Sequence, residues 1–144
     1  MLEVFILLQV FVFPPARGQP SWTSRFSTPS SFSIIKTSST IAETIKYVTN
    51  TFLSMKVSYA NEIYQLCEAL NIDYDKVIEY ARYDDRLGNS HWSVPGPDGD
   101  FGFGGHCFPK DIAALTYLSK QLGVDTTMLV ATMTKNVLVR TDLD

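Results

Sequence analysis

The sequence predicts an all-α domain preceded by a segment of different character, and three observations carry this. From residue 41 to residue 70 the chain runs without a glycine or a proline, its apolar residues recurring at three- and four-residue steps. Shorter stretches nearer the C-terminus repeat that periodicity. No run of β-branched residues alternates with polar ones as a half-buried strand requires. At 144 residues, with 45% apolar and 19% charged side chains, the chain is long enough for one soluble domain with its own core. A net charge of −3 lacks the basic stripe that phosphate neutralisation needs, so nucleic acid is not an expected partner. Two cysteines, Cys67 and Cys107, give no disulfide framework and fit a reducing, cytoplasmic setting.

Residues 1–39 read as an N-terminal extension, poorly ordered or foreign to the domain, and residues 40–144 as the helical domain. "MLEVFILLQVFVF" is too short to span a bilayer, so no membrane partner is expected. It resembles a signal-peptide core, which would make this a secreted helical protein, but Glu3 stands where a positive charge belongs. The Ser-, Thr- and Pro-rich run after it cannot bury a core. Thr40 and Glu43 have capping-box spacing and predict a helix start. Ile41, Ile45, Val48, Phe52, Met55, Tyr59, Ile63, Leu66 and Leu70 then form one apolar stripe. At roughly 45 Å such a helix is longer than a small domain needs, which leaves apolar surface for a partner chain or another domain. Asn71 is its expected C-cap.

Asp73 caps a shorter helix, with Val77, Ile78 and Tyr80 or Ala81 facing inward. Residues 84–108 carry Gly, Pro, Asn and Asp throughout and predict a long loop, a feature that is usually functional or disordered. Pro109 suits the first turn of the next helix, where Ile112, Leu115, Leu118 and Leu122 keep the period and Gly123 stops it. Residues 125–140 predict a last helix.

Chemistry concentrates in "GDFGFGGHCFPKD", residues 99–111. Cys107 lies at a predicted helix N-terminus beside Lys110, both of which favour a thiolate. Glycines upstream let backbone approach a ligand and offer N–H groups to an anion. Spacing alone leaves a small hydrophobe in a turn equally possible. Cys67, on the long helix, reads as core. Lys46 and Asn50 lie four apart on one helical face and could stabilise an oxyanion, although a solvated face explains them as well. His91, His106 and Cys107 lack zinc-ligand spacing, so no metal is expected. A Cys–His hydrolase would have to recruit His91, because His106 adjoins the thiol and points away. The glycines do not form a dinucleotide fingerprint, which needs a preceding strand.

Taken together, these residues resemble the UDP-glucose/GDP-mannose 6-dehydrogenases. "GFGGHCFPKD" with "IAAL" is similar to the family's active-site signature, "AETIKYVTNTFLSMKVSYANE" to its long central helix, and "DDRLGNSHWSVPG" to its sugar-nucleotide loop. The three matches stand in the family's order over about residues 40 to 140. The resemblance implies the helical central domain, similar to the 6-phosphogluconate dehydrogenase C-terminal-like dimerisation fold, and a homodimer. It implies an enzyme that oxidises the primary alcohol of a nucleotide sugar, of UDP-glucose or GDP-mannose type, to a uronate with NAD as hydride acceptor. By the same resemblance Cys107 would attack the intermediate aldehyde and carry a thioester, and Lys46 would stabilise oxyanions. Asn50 would hold a water or sugar oxygen, and Asp111 would orient or deprotonate the hydrolytic water. Arg86 would reach a sugar nucleotide, often across the dimer. Phe101, Gly102, Phe103, Gly104 and Gly105 would line the substrate, and Lys110 would approach the cofactor. The family's flanking nucleotide-binding domains and its Glu-bearing loop have no match here. The expectation is therefore a partial chain, with a non-catalytic dimerisation or sugar-nucleotide-binding module as the alternative.

Overall fold

The computed structural model describes residues 3–9 and 32–141, and the chain divides into two units between Ile45 and Lys46. In the first unit β1 (Glu3–Gln9) pairs antiparallel with β2 (Phe32–Ser38), Ile6 opposite Ile35. The sequence reading did not anticipate these strands. "EVFILLQ" is a continuous apolar run, and periodicity alone cannot assign such a run to strand or helix. The remainder of the expected extension, and the signal-peptide cleavage region with it, lies outside the described residues.

The second unit is all-helical, as the periodicity predicts. Helix α1 (Ser39–Leu70) begins in the first unit and supplies the longest element of the second. Its start falls earlier than the capping box suggests. Ser38 Oγ accepts the Ile41 amide at 3.4 Å, and Thr40 is already inside the helix, its carbonyl accepting the Thr44 hydroxyl at 2.7 Å. Either hydroxyl residue could cap; the upstream one does. At the other end Asn71 takes a left-handed φ of 56°, and the amides of Asn71 and Ile72 close on the carbonyls of Glu68 and Cys67 at 3.1 and 3.0 Å.

Helix α2 (Tyr74–Ala81) is capped by Asp73, whose carboxylate accepts the Lys76 amide at 3.2 Å. Tyr74 and Ile78, one turn apart, are buried and Val77 is half-buried, whereas Tyr80 and Ala81 face solvent, contrary to the sequence reading. Helices α3 (Cys107–Gln121) and α4 (Thr127–Val139) complete the unit. Gly123, at φ 69°, ends the turn after α3 while the Val124 amide reaches the Ser119 carbonyl at 2.9 Å. The inner face of α3 is Ile112, Leu115, Thr116 and Ser119; Leu118 and Leu122, expected inside, are exposed. An apolar groove of about 550 Å³ runs along α3 and α4, past Ile112, Thr116, Leu129 and Met133.

Most of the stripe on α1 lies on the outside of this unit, as the length of the helix predicts, with Met55 and Ile63 half-buried. The buried face of the helix is Thr51, Ser54, Val57, Ser58, Ala60, Asn61 and Cys67, small and largely polar, whereas Val48, Phe52, Tyr59, Leu66 and Leu70 are each more than half exposed. The buried hydroxyls are satisfied within the fold: Thr51 and Ser54 donate to the carbonyls of Tyr47 and Asn50 at 2.7 and 2.6 Å. Ser58 instead crosses to the Thr132 carbonyl of α4 at 2.9 Å. Two small cores result. One joins Ala60, Cys67, Tyr74, Ile78 and Trp92, and the other joins Val57, Phe103 and Ile112 with Phe108, Leu129 and Met133 against them. Among the described residues no helix is long and apolar enough to cross a membrane.

The first core is pinned by the Tyr74 hydroxyl, which donates to the Trp92 carbonyl at 2.6 Å. Burial, with Asp75 and Cys67 nearby, raises the phenol well above its usual range, so it stays a donor. Tyr74→Phe should cost about 1 kcal/mol in urea denaturation, because the carbonyl loses its partner. No loss would remove this bond from the account of the core.

Candidate functional site

The long loop is held at three levels. Its first turn is a 3₁₀ segment, Asp85–Leu87, whose Leu87 carbonyl accepts the Lys56 ammonium at 2.7 Å. That ammonium also lies 4.6 Å from the centre of the Trp92 ring, and Trp92 Nε1 donates to the Gly88 carbonyl at 3.0 Å. The middle of the loop, after a cis Val94–Pro95 bond, folds on itself with the Gly96 amide donating to the Asp100 carbonyl at 2.8 Å. The third level is the glycine run. Asn61 Oδ1 of α1 accepts the Gly102 amide at 3.1 Å. Asn136 of α4 accepts the Phe103 amide at 2.7 Å and donates to the Phe103 carbonyl at 2.9 Å.

Glycine is required at two of these positions. Gly102 has a φ of 68°, and a β-carbon there would collide with the Asn136 amide oxygen. A β-carbon at Gly104 would overlap the Arg140 guanidinium, which is buried against it. Arg140 pairs with Asp98 at 2.9 Å and also lies near Asp100, whose Oδ2 accepts the Thr141 hydroxyl at 2.8 Å. The Asp100 amide keeps the Asp98 carboxyl below the ordinary carboxylate range against desolvation, with a lesser contribution from Arg140. Asn61, Asn136, Arg140 and the two aspartates escaped the sequence reading. The available signal was weak: an asparagine inside an otherwise apolar helical stretch, where its propensity is poor.

Helix α3 starts at Cys107, and Asp111 follows one turn later on the same face. Cys107 is exposed and Asp111 fully buried. From α1, Asn50 Nδ2 donates to Asp111 Oδ2 at 2.5 Å, and Lys110 forms an ion pair with the other carboxylate oxygen. Burial pushes the Asp111 carboxyl up, but the hydrogen bonds from Lys110 and Asn50 and the charges of Lys110 and Lys46 override it, leaving the group below the usual aspartate value. The bond to Asp111 raises Lys110, with smaller contributions from Tyr47 and Cys107. Lys46, Asn50, Lys110 and Asp111 thus form one charge cluster at the turn that carries Cys107. Lys46 is exposed, 6.0 Å from the Tyr47 ring centre.

Other expected residues fall outside that cluster. Arg86 projects into solvent, and its guanidinium is matched to the Asp84 carboxylate at 2.9 and 2.5 Å. Phe101 packs on Tyr64 with ring centres 5.6 Å apart, and Gly105 is exposed. Gly102, Phe103 and Gly104 line a separate pocket of about 380 Å³ together with Val57, His91 and Phe108. His106 sits exposed before α3 and makes no side-chain cap. Cys67 is 2% exposed, in the first core as expected.

Residues 40–137 match the UDP-glucose/GDP-mannose dehydrogenase family, central domain. The chain is 37% identical over 72% of its length to the UDP-glucose 6-dehydrogenase TuaD of Bacillus subtilis, covering 21% of that protein. It is 39% identical to the GDP-mannose 6-dehydrogenase of Pseudomonas aeruginosa, again over 72% of this chain and 23% of the relative. To the UDP-glucose 6-dehydrogenase AglM of Haloferax volcanii it is 34% identical over 72% of this chain and 23% of the relative. The chain spans about a fifth of the length of these curated relatives. No solved structure matches it significantly. With the helical fold, the glycine turn before Cys107 and the facing Asn50–Asp111 pair in place, the chain belongs to the UDP-glucose/GDP-mannose dehydrogenase family and corresponds to its central domain.

Proposed function

We propose that this chain supplies the covalent-catalysis part of a nucleotide-sugar 6-dehydrogenase acting on a UDP-glucose- or GDP-mannose-type substrate in the cytoplasm. The observation that carries this reading is the convergence of Asn50 from α1 and Asp111 from α3 at the helical turn bearing an exposed Cys107. In the complete reaction NAD takes a hydride at each of two oxidations. Lys110, the residue expected near that cofactor, is engaged by Asp111, and no strand–glycine–helix fingerprint occurs among the described residues. These residues do not form a dinucleotide cradle, so the chain's own part is the chemistry at sulfur.

In that part, Cys107 Sγ bonds to the carbonyl carbon of the sugar aldehyde and the carbonyl electron pair moves onto oxygen. The Lys46 ammonium and the second N–H of Asn50 face that charge. At the thioester stage Asp111 accepts a hydrogen bond from the attacking water. Water adds to the carbonyl carbon, the C–S bond breaks, and the carboxylate leaves with Cys107 restored. A charged Asp111 suits this role, and its hydrogen bonds keep it ionised at neutral pH. Arg86 reaches the sugar nucleotide of a neighbouring subunit in this reading, and Phe101 to Gly105 line the sugar.

The exposed apolar face of α1, from Val48 through Phe52 and Tyr59 to Leu66 and Leu70, favours a homodimer. It is also what a purely assembling, non-catalytic module would present, so nucleotide-sugar protection of Cys107 separates the two readings.

Iodoacetamide should label Cys107 and spare buried Cys67, and millimolar UDP-glucose or GDP-mannose should slow the Cys107 reaction several-fold. Mass spectrometry of the labelled chain reads both, and unchanged rates with either sugar would leave only the assembling module. Phe52→Asp should convert a dimer to a monomer in analytical ultracentrifugation; wild-type chain that is already monomeric at micromolar concentration rejects the homodimer. The Asp111 carboxyl is held below 3.8, so its stabilisation is complete above that pH and is lost as pH falls toward its folded value. Asp111→Asn should therefore lower stability at pH 7 by about 2 kcal/mol and flatten this acid-side loss, as read by denaturation at pH 7, 5 and 3.

A further inference from the structure

The pocket beside the glycine turn holds a polar atom that the protein leaves unused. It measures about 380 Å³, is walled by Val57, Phe103, Gly104 and Phe108, and is rimmed by Ser90 and Asp98. His91 is part of its lining, and His91 Nδ1 is buried and has no hydrogen-bond partner. Buried polar atoms are nearly always paired, so an unpaired one in a pocket-lining side chain points to a ligand that draws it into a bond. His91 also holds a left-handed φ of 64°, which a residue with a β-carbon adopts at a cost. Its ring is braced by Phe108, ring centres 5.9 Å apart, in the residue next to Cys107. Two local penalties therefore coincide at one residue, and that residue lines a cavity.

We propose that His91 is a specificity-determining residue whose Nδ1 exchanges a hydrogen bond with a hydroxyl of the sugar ring of a bound nucleotide sugar. This rests on the reading of the chain as a nucleotide-sugar dehydrogenase domain. Burial, and then the charge of Lys56, hold the imidazole below its ordinary value, so at neutral pH it is uncharged, a partner for a hydroxyl more than for a phosphate. Phe103 and Phe108 meet edge-on with ring centres 5.8 Å apart, and their apolar surface matches the C–H face of a pyranose.

The test compares the full chain with His91→Phe, which keeps the ring against Phe108 and removes both nitrogens. Binding of UDP-glucose and of UDP, and of GDP-mannose and of GDP, is measured by calorimetry, with thermal unfolding as the check on folding. Removing one neutral hydrogen bond should weaken the nucleotide sugar about fivefold and leave the sugar-free nucleotide unchanged. In the wild-type chain the His91 Nδ1 resonance, in a ¹⁵N-histidine sample, should shift with the nucleotide sugar and not with the nucleotide. Equal binding of the sugar by both proteins overturns the assignment while the proposed function stands. A parallel loss for sugar and nucleotide also overturns it, because His91 then acts through the fold. If the wild-type chain binds neither sugar nor nucleotide, the proposed function and this inference fall together.

Discussion

The arrangement of the site depends on the amide of Asn136. It meets both the N–H and the C=O of Phe103, the pairing a neighbouring strand would offer, and so gives a glycine-rich loop the fixity of regular structure. Gly102 must lack a side chain for that amide to approach, and Phe103 is thereby driven into the core with Val57 and Ile112. Loop, helix start and core are thus coupled through one side chain on α4. Asn61 repeats the device from α1 with a single bond to Gly102.

Electrostatics at the start of α3 follows from the same economy. A buried carboxylate without partners would be neutralised or expelled. Asp111 has Asn50 on one oxygen and Lys110 on the other, with Lys46 contributing at longer range. The two helices, already in contact through Val57 and Ile112, are therefore also joined by a charge that neither could bury alone. The small inner residues of α1, Ser54 and Ala60 among them, leave room for this approach. Its larger residues are left for the outside.

Much of this was legible in the chain. Asp73, Asn71 and Gly123 ended or began helices where their chemistry demands, because caps are local and need no tertiary information. The i, i+4 spacing of Lys46 with Asn50 placed that pair on one face, and the fold brings Asn50 to Asp111 of α3. What periodicity could not supply is the direction in which a stripe points. The apolar side of α1 looks outward, and Leu118 and Leu122 lie off the buried side of α3, because a periodic pattern marks a face without saying what covers it. Asn61, Asn136 and Arg140 were illegible for another reason. Each answers a backbone group or a carboxylate more than thirty residues away in sequence, and no local pattern encodes such a pairing.

The Arg140–Asp98 pair has a meaning for how this loop is held. The amide clips at Gly102 and Phe103 fix the approach to Cys107 from inside, whereas the ion pair gathers residues 98–100 from outside. Between Gly88 and Gly96 the chain is held in its middle as well as at its ends, because Trp92 is built into the first core. A change in that span therefore reaches the core and the pocket wall at His91, while the amide clips act on the glycine turn independently of it.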